Sequence, residues 1–402
     1  MTSQVPGHRN RAFIPALVVL LGAALGAGGM LLLRPFGTSP APASGLIGSA
    51  AAGSLNARAI YNRLEPSVVD VTSTLRYDDE TASGTGFVID GKTGLVLTNN
   101  HVIRDATSVT ARLTSTGKSY PARIVGADVG ADIAVLQLEG VSGLPVAPVG
   151  DSASVRLGSP VLAIGNQAGQ GGQPTFAPGI ISSLNRTIQA NDGTSGFTET
   201  LHDMLQTSAQ IEPGDSGGPL ADAAGAVVGV DTAAGTGGVT VGYAIPIDGA
   251  MAVARQIAAG RTAPGITLGV GGFLGVVMPS TTAPSPLAQA RGEHGLAPAR
   301  GSRSAHGGCL DTESGAAVPA AVAPARSGAL VDGVLCGTGA ATAGITAGDV
   351  ITQVAGHRIA SPDALTAIVA ACRPGTLVPV TWVSTTGTTR TSVVSLDVAP
   401  AV

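Results

Sequence analysis

The sequence predicts a mainly β protein preceded by a membrane-spanning helix, and three observations carry that prediction. Short apolar runs rich in Val, Ile and Thr recur along the chain, separated by Gly and Asp turns. Gly contributes 58 and Pro 26 of the 402 residues, which suits turns and bulges better than long helices. Residues 13–33 carry no charged side chain, a run long enough to cross a hydrocarbon core of about 30 Å. The length allows two or three domains. Aromatics make up 3 % and Trp382 is the sole tryptophan, so the core must be built from Val, Ile, Leu and Ala. Hydrophobic residues at 44 % are enough for such a core, which excludes disorder throughout. A net charge of −4 excludes a broad electrostatic footprint for nucleic acid.

Arg9 and Arg11 precede the apolar run and Arg34 follows it. This weak positive-inside bias keeps residues 1–12 cytoplasmic and sends everything after residue 33 outside. A cleaved signal peptide is the competing reading, because Ala41-Pro42-Ala43 resembles a small-residue cleavage site. Signal cores are usually about 7–15 residues, shorter than this run. Residues 34–57, dominated by Pro, Ala, Gly and Ser, read as a flexible linker.

Strand-like runs then follow at 67–72, 86–90, 95–98, 108–112, 122–125, 133–138, 160–164, 179–184, 205–207, 226–230 and 239–245. They argue for an all-β barrel or sandwich over residues 58–262, closed by a helical stretch at 249–259. A second unit spans 266–398, with strands at 273–277, 329–336, 348–354, 377–383 and 391–397. Its helix opens at Ser361-Pro362-Asp363, an N-cap Ser, Pro at the first helical position and Asp in the first turn. Residues 279–327 have no apolar period and read as a disordered insertion. Cys309, Cys336 and Cys372 are the only cysteines, which leaves three pairings open. A bond between Cys309 and Cys336 would tie the insertion to the sheet. No His/Cys/Asp cluster has metal-ligand spacing and no phosphate-binding glycine loop is present, so no metal or cofactor is expected.

The strongest local signal is Gly214-Asp215-Ser216-Gly217-Gly218-Pro219-Leu220. A serine is a poor nucleophile at pH 7 and needs a base, an orienter for that base, and donors for the oxyanion. Glycines around Ser216 let the backbone turn so that the N–H groups of Gly214 and Ser216 converge. The string also satisfies the G-x-S-x-G elbow of α/β-hydrolases. That elbow needs a strand-turn-helix setting and a downstream His, whereas residues 221–230 read as turn and strand. The upstream order fits better. His101 ends an apolar strand in Leu97-Thr98-Asn99-Asn100-His101, and Asp132 adjoins a core strand in Gly130-Ala131-Asp132-Ile133, with Asp128 as a rival acid. His, then Asp, then Ser is the chain order of the chymotrypsin-type double barrel.

At this point a resemblance becomes explicit. The chain resembles the HtrA family of trypsin-like serine proteases with a C-terminal PDZ domain. The residues that carry the likeness are Ile60 to Val69, Gly84-Thr85-Gly86-Phe87, Leu97 to Ile103, Ala131 to Leu136, Gln206-Thr207 with Pro213 to Leu220, and Gly242-Tyr243-Ala244-Ile245-Pro246. The resemblance implies a membrane-anchored, extracytoplasmic endopeptidase that uses Ser216, His101 and Asp132, with Gly214 and Ser216 as oxyanion donors. Gln210 would floor the primary pocket and Ile211 and Val230 would wall it, favouring a small apolar residue at the cleaved bond. In the PDZ part, Phe273-Leu274-Gly275-Val276 resembles the loop that holds a peptide carboxylate, and Leu365 would line the groove. Substrates would be unfolded or exported proteins, peptide C-termini would bind the PDZ domain, and a homotrimer is the family's expected assembly. A regulatory protease for one partner, or a chaperone with little proteolysis, is the alternative. One departure stands out: the family usually has Asn before the nucleophile, and here Asp215 occupies that position. Secreted digestive proteases carry Asp there and pair it with a freed N-terminus.

Overall fold

The computed structural model describes residues 55–77, 80–169, 171–191, 198–235, 240–279, 309–311 and 319–401. The apolar run at 13–33 and most of the linker lie outside these residues. Among the described residues, no helix is long and apolar enough to cross a membrane.

Helix α1 (Ala57–Leu64) is capped by Asn56, whose side chain accepts from the Ala59 N–H, and it buries Ile60, Tyr61 and Leu64. Strands β1 (Val68–Leu75), β2 (Glu80–Asp90) and β3 (Leu95–Thr98) lead to the one-turn helix α2 (Asn100–Ile103). Strands β4 (Ser108–Leu113), β5 (Ser119–Asp128) and β6 (Ile133–Leu138) follow. They pair in the order β5-β4-β1-β2-β3-β6, and β5 also pairs with β6, so the sheet rolls into a barrel. A second, closed barrel is made of β7 (Pro160–Gly165), β8 (Thr175–Asn191), β9 (Thr198–Thr207), β10 (Pro219–Asp222), β11 (Val227–Gly235) and β12 (Thr240–Pro246). Closure leaves no open edge, the usual remedy for a sheet of short strands.

Each barrel has its own apolar interior. Val71, Val88, Val96, Ala111 and Leu136 fill the first, and Val161, Ile181, Leu205, Leu220, Val228 and Ala244 fill the second. A further cluster joins them, with Phe87, Leu97 and Val135 meeting Leu162, Ile164, Val230 and Ile245. Helix α3 (Ile247–Ala258) packs into this junction through Ile247, Ala250, Ala254 and Ile257. Of the barrel or sandwich that strand spacing allows, the chain forms two barrels, as the resemblance implies; His101 lies on α2, and Asp132 and Ser216 lie on turns.

Strand β13 (Ile266–Leu268) adds to the outer edge of β5. Beyond it come β14 (Gly272–Phe273), β15 (Val276–Val277), β16 (Ala329–Leu330), β17 (Gly333–Val334), α4 (Gly339–Ala343), β18 (Val350–Val354), β19 (His357–Arg358), α5 (Pro362–Ala370), β20 (Leu377–Val383), β21 (Thr389–Ser395) and β22 (Asp397–Val398). Ser361 caps α5 by accepting from the Ala364 N–H, with Pro362 next in line, as the sequence predicts. Ala401 then returns to the first barrel, where it exchanges backbone hydrogen bonds with Asp105 (2.8 Å) and Ala106 (3.0 Å).

One expectation needs correction. The sequence predicts disorder over residues 319–327, yet Ala323 and Ala325 are buried against Leu330 and Val350, and Ala323 N–H donates to Gly348 O at 2.8 Å. Small side chains let this segment pack without any apolar period. Leu365, the expected groove residue on α5, is 1 % exposed and packs with Val369 in the core of the C-terminal unit. Cys309 is bonded to Cys336 and Cys372 is a free thiol. The rest of the insertion, 280–308 and 312–318, lies outside the described residues.

Candidate active site

His101 occupies α2, immediately after β3. Its backbone N–H donates to Asp132 Oδ1 at 2.9 Å, and its ring Nδ1 lies 2.8 Å from Asp132 Oδ2. Both oxygens of the acid are thus committed to one residue. Asp132 is fully buried and precedes β6 in a left-handed conformation, φ 50°. Asp is one of the few non-glycine residue types that enter that region often. Asn99 reinforces the turn by donating Nδ2–H to Asp132 O at 2.9 Å. The rival acid, Asp128, is engaged elsewhere: its Oδ1 accepts from the Ala131 N–H. An Nδ1–H held by a carboxylate leaves Nε2 as the basic nitrogen.

The serine loop is two turns in succession. Asp215 N–H donates to Glu212 O at 2.9 Å across Pro213 and Gly214, and Gly214 has φ 99°. Pro at the second position and a positive-φ Gly at the third is the residue pattern of a type II turn. That turn type determines which side of the loop the Gly214 N–H faces. The second turn runs from Asp215 to Gly218, with Gly217 at φ 87°. A Cβ on Gly217 would lie 2.1 Å from Thr85 O and 2.3 Å from Thr98 Oγ1, so only glycine lets the serine loop sit against the strands that carry His101. Thr85 N–H also donates to Ser216 O at 2.8 Å. His101, Asp132 and Ser216, separate in sequence, are thus borne by segments packed on one another.

Three further contributors escape the sequence reading, two of them without any signal in their own local sequence. Thr85 Oγ1 donates to Gly214 O at 2.7 Å and accepts from Asn166 N–H at 2.9 Å, so it ties the serine turn to both barrels. Glu199, near the start of β9, has a ligand atom within 4.8 Å of those of His101 and Asp132. Asp231 on β11 is fully buried. Strand periodicity could have marked Asp231 as an acid in an apolar run. Thr85 and Glu199 act through partners far away in the chain.

Electrostatics follow from burial. Desolvation opposes a charged His101, but the Asp132 charge and hydrogen bond, helped by Glu199, outweigh it and raise the imidazole pKa. Burial pushes Asp215 up to about 6, against a hydrogen bond from the Glu212 N–H and with help from the Glu212 charge. Burial, followed by the Asp215 charge, holds Asp231 well above the ordinary carboxylate range. Among the described residues, His101, Asp132 and Glu199 are also the one His/Cys/Asp/Glu group whose ligand atoms converge. Its His nitrogen and Asp oxygen are already bonded to each other.

The remaining expected residues divide. Gln210 is exposed. Ile211 is 1 % exposed and belongs to the interior of the second barrel. Val230 pairs with Ile245 and turns into the junction between the barrels. The face toward the barrel interior belongs to its neighbour Asp231, opposite Ala244. In the C-terminal unit, Phe273 stacks on Tyr77 with ring centres 4.8 Å apart, while Leu274 and Val276 are buried in its core. Gly275 has φ 85°, and a Cβ there would strike Thr338 at 2.2 Å.

A family profile for the trypsin-like peptidase domain matches residues 84–230. The chain is 32 % identical to the serine protease PepD of Mycobacterium tuberculosis, over 99 % of this chain and 80 % of that protein. It is 35 % identical to the putative serine protease HhoA of Synechocystis, over 71 % of this chain and 63 % of that one. It is 34 % identical to the periplasmic pH-dependent serine endoprotease DegQ of Escherichia coli, over 73 % of this chain and 55 % of that one. With a double barrel that carries a His–Asp pair beside a serine turn, the chain is a serine endopeptidase and belongs to the HtrA family of trypsin-like proteases.

Proposed function

We propose that this endopeptidase is anchored by residues 13–33 and works outside the cytoplasm, cleaving unfolded or exported proteins through Ser216, His101 and Asp132. The observation that carries the mechanism is the 2.8 Å contact between His101 Nδ1 and buried Asp132. Asp132 fixes the imidazole tautomer, so Nε2 removes the Ser216 hydroxyl proton as Oγ attacks the peptide carbonyl. The N–H groups of Gly214 and Ser216 receive the oxyanion, and His101 Nε2 returns the proton to the leaving amine. Water, deprotonated by the same nitrogen, then releases the acyl group from Ser216.

Residues 266–398 form a PDZ domain in this reading. Phe273, Leu274, Gly275 and Val276 make the carboxylate loop, and β15 is the edge to which a peptide C-terminus adds as a strand. The Cys309–Cys336 disulfide suits an oxidising compartment, and a periplasmic relative supports the same location.

The test compares the full chain with its Ser216→Ala variant on casein. Cleavage abolished by the substitution is expected. Equal cleavage by both refutes the nucleophile, and no cleavage by the wild type refutes unfolded protein as substrate. Deleting residues 13–33 is expected to release the enzyme from the membrane fraction, and retention there refutes the anchor.

A further inference from the structure

Two acids lie under the serine turn. The main chain of Asp231 clasps the loop from both sides: Gly217 N–H donates to Asp231 O, and Asp231 N–H donates to Gly218 O, each at 2.8 Å. Its side chain is 0 % exposed, and the Ile164 peptide that meets its carboxyl does not offset the cost of burial. Directly paired residues in an antiparallel sheet share a face, so Asp231 follows its partner Ala244 into the apolar interior of the second barrel. A lone carboxylate is costly there, and the neutral acid is the favoured form.

Asp215 is the second acid. Its Oδ2 accepts from the Glu212 N–H at 2.9 Å, while its Oδ1 is buried without a partner among the described residues. That Oδ1 lies directly over Gly165, where a Cβ would approach it to 2.6 Å. The neighbouring Ile164 peptide interacts with the Asp231 carboxyl, so consecutive residues of β7 bring the two acids to one spot. Glu212 is the charged group that faces Asp215 from its own turn, and the two acids face each other. β7 presents the main chain of Ile164 and Gly165, and β12 presents Ala244.

A neutral acid beside an acceptor oxygen is a donor in want of that acceptor. We propose that Asp231 is a positioning residue for peptide cleavage: its neutral carboxyl donates a hydrogen bond to Asp215 Oδ1 and thereby holds the turn that aims the Gly214 N–H. This rests on the reading of Ser216 as the nucleophile. The shared proton does for Asp215 what a buried cation would otherwise have to do. Ionisation of Asp231 removes the donor and sets two charges against each other, so the turn loosens on the alkaline side.

The test measures kcat and KM of the full chain on casein from about pH 5 to about pH 10. Asp231→Val is expected to lower kcat at least about tenfold at neutral pH with little change in KM, because oxyanion donors act on the transition state. Asp231→Asn keeps a donor that cannot ionise. It is expected to restore most of kcat and to hold it level where the wild type declines at high pH. A wild-type kcat for Asp231→Val, or alkaline limbs of Asp231→Asn and wild type that superimpose, overturns the proposal. Should Asp231→Val fail to fold by circular dichroism, the Asp231→Asn profile decides alone. Ser216→Ala runs alongside: if it still cleaves, the nucleophile reading fails, whereas an inert Ser216→Ala beside an unimpaired Asp231→Val sinks only the clamp.

Discussion

The Thr85 hydroxyl and the Gly214 carbonyl are joined by a 2.7 Å hydrogen bond, although 129 positions separate them in the chain. The same hydroxyl accepts from the Asn166 N–H. Thr85→Val keeps the shape and removes both bonds. Leaving buried groups unsatisfied costs about 1–3 kcal/mol, which is roughly tenfold to a hundredfold in kcat if it falls on the transition state. KM should change little. Steady-state kinetics check this, and a valine variant with wild-type kcat would show that the turn holds itself.

Asp132→Asn is a sharper lesion. The carboxamide can still accept from the His101 N–H, but its NH2 group then faces Nδ1 and favours the wrong tautomer. A loss of about 10⁴-fold in kcat is expected, with the fold retained. Acylation by a fluorophosphonate probe reads the same defect, and brisk labelling of the variant would contradict it.

Glu199 helps to keep His101 protonated, so the acid limb of kcat/KM should move when its charge is removed. In Glu199→Gln the imidazolium loses a favourable neighbour and its pKa falls. Activity then persists to lower pH than in the wild type. A limb that stays in place, or moves upward, would remove Glu199 from the electrostatics of the site.

The Asp215–Asp231 pair also links stability to pH. Both acids are raised in the folded chain, Asp215 from 3.8 to about 6 and Asp231 well above the ordinary carboxylate range. The folded state therefore holds protons that the unfolded state has released, and stability falls as pH rises through this window. Urea unfolding of Asp231→Asn should match the wild type near pH 4 and exceed it at pH 7. Parallel curves at both pH values would mean that the acid carries no burial penalty.

The disulfide closes a sequence separation of 27 between Cys309 and Cys336. Loop-closure entropy puts its contribution at about 3–4 kcal/mol. Reduction, or Cys336→Ser, should lower the melting temperature of the C-terminal unit, while Cys372→Ser should leave it in place. Equal melting with and without reductant would be the contrary result.

Much of the site is legible in sequence because its chemistry is local. A histidine just past one strand, an acid just before another and a serine among glycines can each be read from a short window. The supporting residues are not legible in that way. Thr85 is an ordinary strand threonine until barrel closure brings Gly214 to it. Val230 and Asp231 differ by one residue, and which of them faces the barrel interior depends on their pairing with Ile245 and Ala244. Residues 319–327 look shapeless because alanine and proline carry little periodicity, yet Gly348 approaches Ala321 so closely that a Cβ there would lie 2.1 Å from its carbonyl oxygen. Close packing of small residues leaves almost no trace in a hydropathy pattern.

The C-terminal unit meets the first barrel at three places: β13 on β5, Ala401 beside Asp105 and Ala106, and Tyr77, just past β1, whose ring packs on Phe273 and whose hydroxyl donates to Val398 O. A body held at one point swivels, and each further contact removes a freedom of motion. The second mount lies just past α2, the helix that carries His101. Load applied to the C-terminal unit, by a bound chain for instance, is thus delivered as leverage beside the histidine and not dissipated as tumbling.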